Sequence, residues 1–345
     1  MKKLFALTLI IGFMASCQKD DEKTFDLTIY NDGYFVTNEG NYGVGNGSLS
    51  FIYDNGLVSN NVYENTNGVP LGDVVQSMQI IGQNAYIVVN NSNKVVVANK
   101  ETMQHVDEIS ISQPRYISQL TDNKAYVTSW GNNSVEVIDL TTNTVTNSIP
   151  CGVGPESITV SDGLAYVTNV GGWGLDNTVT VIDITSDNVV TTINVGDKPN
   201  SAQVDANGDI WVLCSGYTVY GSEDPWPILS QTQGSLVKIS NNVVVNSYEF
   251  PIGESPSDLV IDDSGQKLFY LSSGSVYSFD IGNILLSTNP LISHSFYGLE
   301  YHNGYLLGAD AVDYVQTGYS RQYSIDGVLL NTFNVGIIPN GYCRN

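Results

Sequence analysis

Residues 123–149 contain Asn123-Lys124-Ala125-Tyr126-Val127-Thr128-Ser129-Trp130, then Ser134-Val135-Glu136-Val137-Ile138-Asp139-Leu140, then Thr144-Val145-Thr146-Asn147-Ser148-Ile149. Each run alternates with period two, is rich in β-branched and aromatic residues, and ends in a polar turn such as Thr141-Thr142-Asn143. That is the pattern of short antiparallel strands. The scheme returns at once: Asp162-Gly163-Leu164-Ala165-Tyr166-Val167-Thr168-Asn169, a loop, Thr178-Val179-Thr180-Val181-Ile182-Asp183, then Val189-Val190-Thr191-Thr192-Ile193-Asn194.

Using the aromatic of Ala-Tyr-Val as a marker finds Tyr34, Tyr86, Tyr126, Tyr166, Trp211, Phe269 and, in the faintest copy, Leu306, at spacings of 52, 40, 40, 45, 58 and 37. Periods near forty with four strands apiece predict an all-β fold, a seven-bladed β-propeller. The 58-residue interval carries an insertion, Ser215 to Gly234. A second repeated piece precedes the marker: Gly154-Pro155-Glu156-Ser157, Lys198-Pro199-Asn200-Ser201 and Ser255-Pro256-Ser257-Asp258. The first unit lacks it, but Ile338-Pro339-Asn340-Gly341-Tyr342 stands at the C-terminal end. The C-terminal strand is therefore expected to complete the first blade, which removes the open edges of the ring. One domain, residues 28–345, follows.

Composition agrees with this fold. Of 345 residues 42% are hydrophobic and 14% charged, enough for a packed core and too few charges for long solvated helices. Thirteen basic against 35 acidic residues give a net charge of −22, which argues against nucleic acid as a partner. Three dispersed histidines, His105, His294 and His302, do not suggest a metal enzyme, and no nucleophile–base pair can be nominated. Glu39 and Glu156 are the available carboxylate pair, with nothing in the sequence to fix their separation. The expectation is a binder that needs no cofactor. Asp176-Asn177 and Asp310 are the calcium candidates, though their spacing matches neither an EF-hand nor a calcium-binding repeat.

The chain opens Met1-Lys2-Lys3, an apolar run from Leu4 to Met14, then Ala15-Ser16-Cys17. Basic start, short apolar stretch and small residues describe an export signal, residues 1–16, rather than a membrane span. Met14-Ala15-Ser16-Cys17 resembles a bacterial lipobox, with Cys17 as the lipidated first residue of the mature chain and residues 17–27 as its tether. Removing residues 1–16 leaves 11 cations and 35 acids, a net charge of −24. The Lys19-Asp20-Asp21-Glu22 run resembles the signal that sends lipoproteins of Bacteroidetes to the outer surface. That implies an outer-membrane location facing the exterior, attached through lipid alone. Cys151, Cys214 and Cys343 then remain, an odd number, and are read as small buried thiols on strands.

In an up-and-down blade, counted from centre to rim, turns between the first and second and the third and fourth strands emerge on one face. Those turns are terse: Asp122-Asn123, Asp162-Gly163, Asn207-Gly208. The opposite face receives the long loops. They carry Asn38, Glu39 and Tyr42; Asn90; Trp130; Trp173; Tyr217 and Trp226; and, between Ala309 and Arg321, Tyr314. The connections entering each blade add Gln76, Arg115, Tyr116, Glu156, Asn200, Ser257, Tyr297 and Asn340 around the channel mouth. Aromatics and amides on a rigid scaffold point to a ligand-binding face. Arg115 is read either as a ligand contact or as the partner of Glu156, and Arg321 as an ion pair.

Tyr166-Val167-Thr168-Asn169 and Phe35-Val36-Thr37-Asn38 resemble the YVTN family of β-propellers. A narrower resemblance rests on Asn38-Glu39-Gly40-Asn41-Tyr42-Gly43-Val44-Gly45-Asn46-Gly47-Ser48-Leu49-Ser50, Pro70-Leu71-Gly72-Asp73-Val74-Val75-Gln76-Ser77-Met78 and Val88-Val89-Asn90-Asn91-Ser92-Asn93-Lys94. These are similar to the vitamin B12 (cobamide) capture lipoproteins of Bacteroidetes. The resemblance implies a corrinoid as ligand, bound without cobalt ligation, and a TonB-dependent outer-membrane transporter as partner. The competing expectation is a carbohydrate- or protein-binding adhesion propeller, since Trp and Tyr platforms also suit sugar rings.

Overall fold

A computed structural model describes residues 28–345; the export signal, Cys17 and the tether lie outside the described residues. The chain forms a seven-bladed β-propeller. The innermost strands are Pro339–Arg344, Val75–Ile81, Pro114–Thr121, Pro155–Ser161, Pro199–Val204, Ser257–Ile261 and Gly298–His302, for blades 1 to 7. Each packs against the next around the ring, and the last returns to the first. Among the described residues no helix is long and apolar enough to cross a membrane.

The ring closes as the repeats require. Pro339–Arg344 pairs antiparallel with Gly33–Asn38, so strands from the two ends of the chain share blade 1. Asn345 adds a main-chain bond to Gly33 (3.1 Å) and Asn340 accepts from Thr37 Oγ1 (2.8 Å).

The marker residues lie on the second strand of each blade, at most 8% exposed. Three of the tyrosines do more than fill space. The hydroxyl of Tyr86 reaches Asn143 (2.8 Å), that of Tyr126 reaches Asp187 (2.5 Å) and that of Tyr166 reaches Asn242 (2.8 Å). Each acceptor sits in the outer turn of the following blade and in the left-handed region. A buried ring with a hydrogen-bonded tip thus pegs one blade to the next, which explains why the repeat asks for tyrosine rather than phenylalanine. Apolar clusters fill the same seams, as where Tyr126, Val135 and Val137 of blade 3 meet Ala165, Val167 and Ile182 of blade 4.

Two departures from strict repetition are informative. Blade 6 has three strands, and residues 281–297 take the fourth place with one isolated bridge, Val276 to Ile292. The sequence there, Ser287-Thr288-Asn289-Pro290, favours turns over a β run. The insertion of blade 5 folds as its own hairpin, Thr218–Tyr220 with Ile228–Gln231. Cys151, Cys214 and Cys343 are free thiols, and burial pushes Cys214 up to about 12.

Deleting residues 338–345 exposes the edge of Gly33–Asn38 and opens the ring. The truncated chain is expected to lose its single cooperative thermal transition and to self-associate, read by circular dichroism and size-exclusion chromatography; a monomer melting like the full chain would refute closure by this strand.

Candidate functional site

The loop-rich face opens into a central cavity of about 840 Å³. Its mouth is built by a backbone device repeated in five blades. Val74, Gln113, Gly154, Lys198 and Ile338 all have φ between +43° and +60°. Each stands two residues ahead of a mouth residue: Gln76, Arg115, Glu156, Asn200 and Asn340. The carbonyl of each accepts the N–H that begins a neighbouring long loop: Val74 from Asn90 (2.8 Å), Gln113 from Trp130 (3.1 Å), Gly154 from Val170 (2.9 Å), Lys198 from Ser215 (3.0 Å) and Ile338 from Glu39 (2.9 Å). The strand register then slips near each mouth residue, between Val75 and Ser77, Pro114 and Ile117, Pro155 and Ile158, and Pro199 and Ser201. Such bulges re-aim side chains. Gln76, Arg115, Glu156, Asn200 and Asn340, placed by sequence in connections, are therefore second residues of innermost strands, whereas Tyr297 precedes its strand.

The predicted residues fall into two groups. Glu39, Gln76, Arg115, Tyr116, Glu156, Asn200 and Tyr297 line the cavity together. Tyr42, Trp173, Trp226 and Tyr314 do not line it but lie exposed on the loops of this face, at 70%, 84%, 60% and 53%. Tyr314 lies edge-on to Tyr297 (centroids 5.6 Å apart) and Trp130 edge-on to Trp173 (6.1 Å). Tyr217 is at the root of the blade-5 hairpin under Lys198 Nζ (5.6 Å). Asn38 and Asn90 are not brought to the mouth. Asn38 is buried and donates to Ser50 Oγ (3.0 Å), and Asn90 ties its loop to the carbonyl of Pro114 (3.0 Å). Both have structural work.

Arg115 is fully engaged. Its Nε and Nη2 meet Glu156 at 2.9 and 2.7 Å, its Nη1 meets Gln76 Oε1 at 2.5 Å, and its guanidinium lies 4.2 Å from the Trp130 ring centroid. Burial opposes its charge, but the Glu156 carboxylate holds it protonated. The pairing alternative for Arg115 is the one realised. Arg321 pairs with Asp310 (2.8 Å), which also faces His294 (2.9 Å). His294 rests against Phe296 and is not among the cavity-lining residues. The loop expected over Ala309 to Arg321 shortens to residues 311–316, with Tyr319 and Arg321 on the strand Thr317–Ser324. Of the calcium candidates, the Asp176 carboxylate accepts from Val153 N (2.7 Å), Thr178 N (2.9 Å) and Thr178 Oγ1 (2.6 Å). It organises its own loop, and Asp310 is taken up by Arg321 and His294.

Sequence reasoning did not nominate Asp258 and Glu300, which line the cavity on blades 6 and 7. Burial in the ring pushes Asp258 up to about 6 and Glu300 up to about 7. Glu39 is also raised, chiefly by burial, although Asn340 (2.7 Å) and Tyr297 (3.1 Å) donate to it. A carboxyl on an innermost strand was the available signal, hidden in the two weakest repeats.

The chain belongs to the family described as a domain of unknown function (DUF5074), whose model matches residues 32–334. Among solved structures it is similar to a quinonprotein alcohol dehydrogenase-like protein from Bacteroides thetaiotaomicron, with 14% identity over 91% of this chain and 78% of that one and a TM-score of 0.65. A functionally unknown protein from Desulfotomaculum acetoxidans is 13% identical over 91% and 99% of the two chains, with a TM-score of 0.66. Hydrazine synthase from Kuenenia stuttgartiensis is 16% identical over 72% and 76%, with a TM-score of 0.55. At such identities these likenesses show the fold. No curated protein matches the sequence.

Two measurements check this geometry. At Gly154 a Cβ would lie 2.1 Å from Gly172 N and φ is +60°, so Gly154→Ala is expected to cost about 2–4 kcal/mol in urea unfolding. A neutral result would refute the close approach. Glu300 binds its proton more tightly folded than unfolded, so its contribution is full below its unfolded value and is lost as pH rises through about 7. Glu300→Gln should therefore raise stability by about 1–3 kcal/mol at pH 8 and change little at pH 4, with equal effects at both pH values contradicting the burial argument.

Proposed function

We propose that this family member is a capture protein that takes up a corrinoid at its loop-rich mouth and passes it to a TonB-dependent outer-membrane transporter. The observation that carries the reading is the crown of exposed aromatics, Tyr42, Trp173, Trp226 and Tyr314, around an amide- and carboxyl-lined cavity. Flat rings resting on apolar faces and peripheral amides meeting oriented polar groups are what such a mouth suits. The stretches that resemble the cobamide-capture lipoproteins lie in blades 1 and 2, and they supply Glu39 and Gln76 to this mouth. The export signal, lipid attachment at Cys17 and outer-surface location belong to the same proposal and rest on sequence alone.

Binding proceeds without turnover in this reading, because the mouth's acids Glu39 and Glu156 are tied to Asn340, Tyr297 and Arg115. Cobalt ligation is not invoked, as His294 faces Asp310. A carbohydrate-binding adhesin is the second reading, favoured by the flat, accessible rings of Trp173 and Trp226.

Calorimetric titration with cyanocobalamin should give tight one-to-one binding. Trp173→Ala and Trp226→Ala should each weaken it by about 1–3 kcal/mol while leaving Tm unchanged, since both side chains project from the rim. Absence of binding at micromolar concentration would reject corrinoid capture, and retention of full affinity by both variants would move the site off this face.

A further inference from the structure

We propose that the cavity selects its ligand by sign: it accepts neutral amide or ammonium N–H groups and excludes carboxylate and phosphate from its interior. The inference rests on the corrinoid reading for its probe and concerns which chemistry of that ligand can enter. Glu39, Glu156, Asp258 and Glu300 face the cavity, and among the described residues Arg115 is its one lining cation. That cation makes three hydrogen bonds, two to Glu156 and one to Gln76, so its charge is already answered by a carboxylate.

Three of the lining amides already donate within the wall. Asn200 Nδ2 donates to Ser215 Oγ (2.8 Å) and the Pro256 carbonyl (2.9 Å), Gln203 Nε2 to the Leu259 carbonyl (2.9 Å), and Asn340 Nδ2 to Glu39 (2.7 Å). Carboxylates keep spare lone pairs after one bond per oxygen, as at Glu39, which accepts from Tyr297 and Asn340. The excess of charge that the cavity offers a ligand is therefore negative. It already disfavours its own negative charge, since burial raises Asp258 and Glu300 towards neutrality. A further anion there meets like charge at close quarters.

The test compares cyanocobalamin with a corrinoid whose peripheral amides have all been hydrolysed to carboxylates, both titrated into the full chain at high salt. Salt suppresses the field of distant surface acids more than that of the cavity. The hydrolysed corrinoid is expected to bind at least about 100-fold more weakly. The double substitution Asp258→Asn with Glu300→Gln should shrink that ratio at least about tenfold. Asp122→Asn with Asp162→Asn, on the turn face, should leave it unchanged. Equal affinities for the two corrinoids would overturn the selectivity and leave capture standing. A ratio indifferent to the cavity substitutions, or sensitive to the turn-face pair, would place the selectivity outside the cavity and overturn it too. If neither corrinoid binds, the corrinoid reading fails and this inference falls with it.

Discussion

A carbonyl held in the left-handed region organises the functional face. In five blades it accepts the first N–H of a long loop while the residue two places on turns into the channel. Left-handed backbone costs an L-residue roughly 1–2 kcal/mol, and more is asked of β-branched Val74 and Ile338. The cost persists because the residue is fixed from both sides, by its own innermost strand and by the loop it latches. Loops that would otherwise wander are thereby referred to the rigid centre, and the aromatics they carry stand at set heights above it. Where the latch uses glycine, at Gly154, the backbone also approaches Gly172 too closely for a side chain.

Around this latch two of the mouth's charged groups, Arg115 and Glu39, are answered locally. Arg115 is divided between Glu156 and Gln76, and its flat face lies over Trp130, which in turn braces Trp173. Glu39 is shared by Tyr297 and the closing-strand residue Asn340. Polar groups so arranged need little reorganisation when a ligand arrives, which is how preorganised sites keep affinity.

The propeller was legible because its repeat is doubly marked. Tyr126 and Tyr166 fix the second strand, and the Pro-led pieces at Pro155, Pro199 and Pro339 fix the first, so blade number and ring closure followed from spacing alone. The cavity group of nominated residues was legible for the same reason, since Glu156, Asn200 and Asn340 hold one slot in that piece. What stayed hidden had no local signature. Val74 and Ile338 do not advertise a positive φ, because β-branched residues avoid it unless tertiary contacts impose it. Asp258 and Glu300 sit in blades 6 and 7, where the repeat is weakest and the fourth strand of blade 6 is replaced by irregular chain. Asn38 and Asn90 look like loop ligands in one dimension but serve as struts in three.

Both ends of the described chain meet on the turn face. Tyr30 bonds to Glu101 in an outer turn of blade 2, and the side-chain amide of Asn345 donates to the carbonyls of Tyr30 and Lys100. Tension applied through the N-terminal side would reach the ring at the seam where Gly33–Asn38 lies along Pro339–Arg344. The antiparallel bonds of that seam would share the load along their length. The mouth lies on the far side of the ring from that seam's load-bearing end, so such a pull would leave the loop-rich face uncovered.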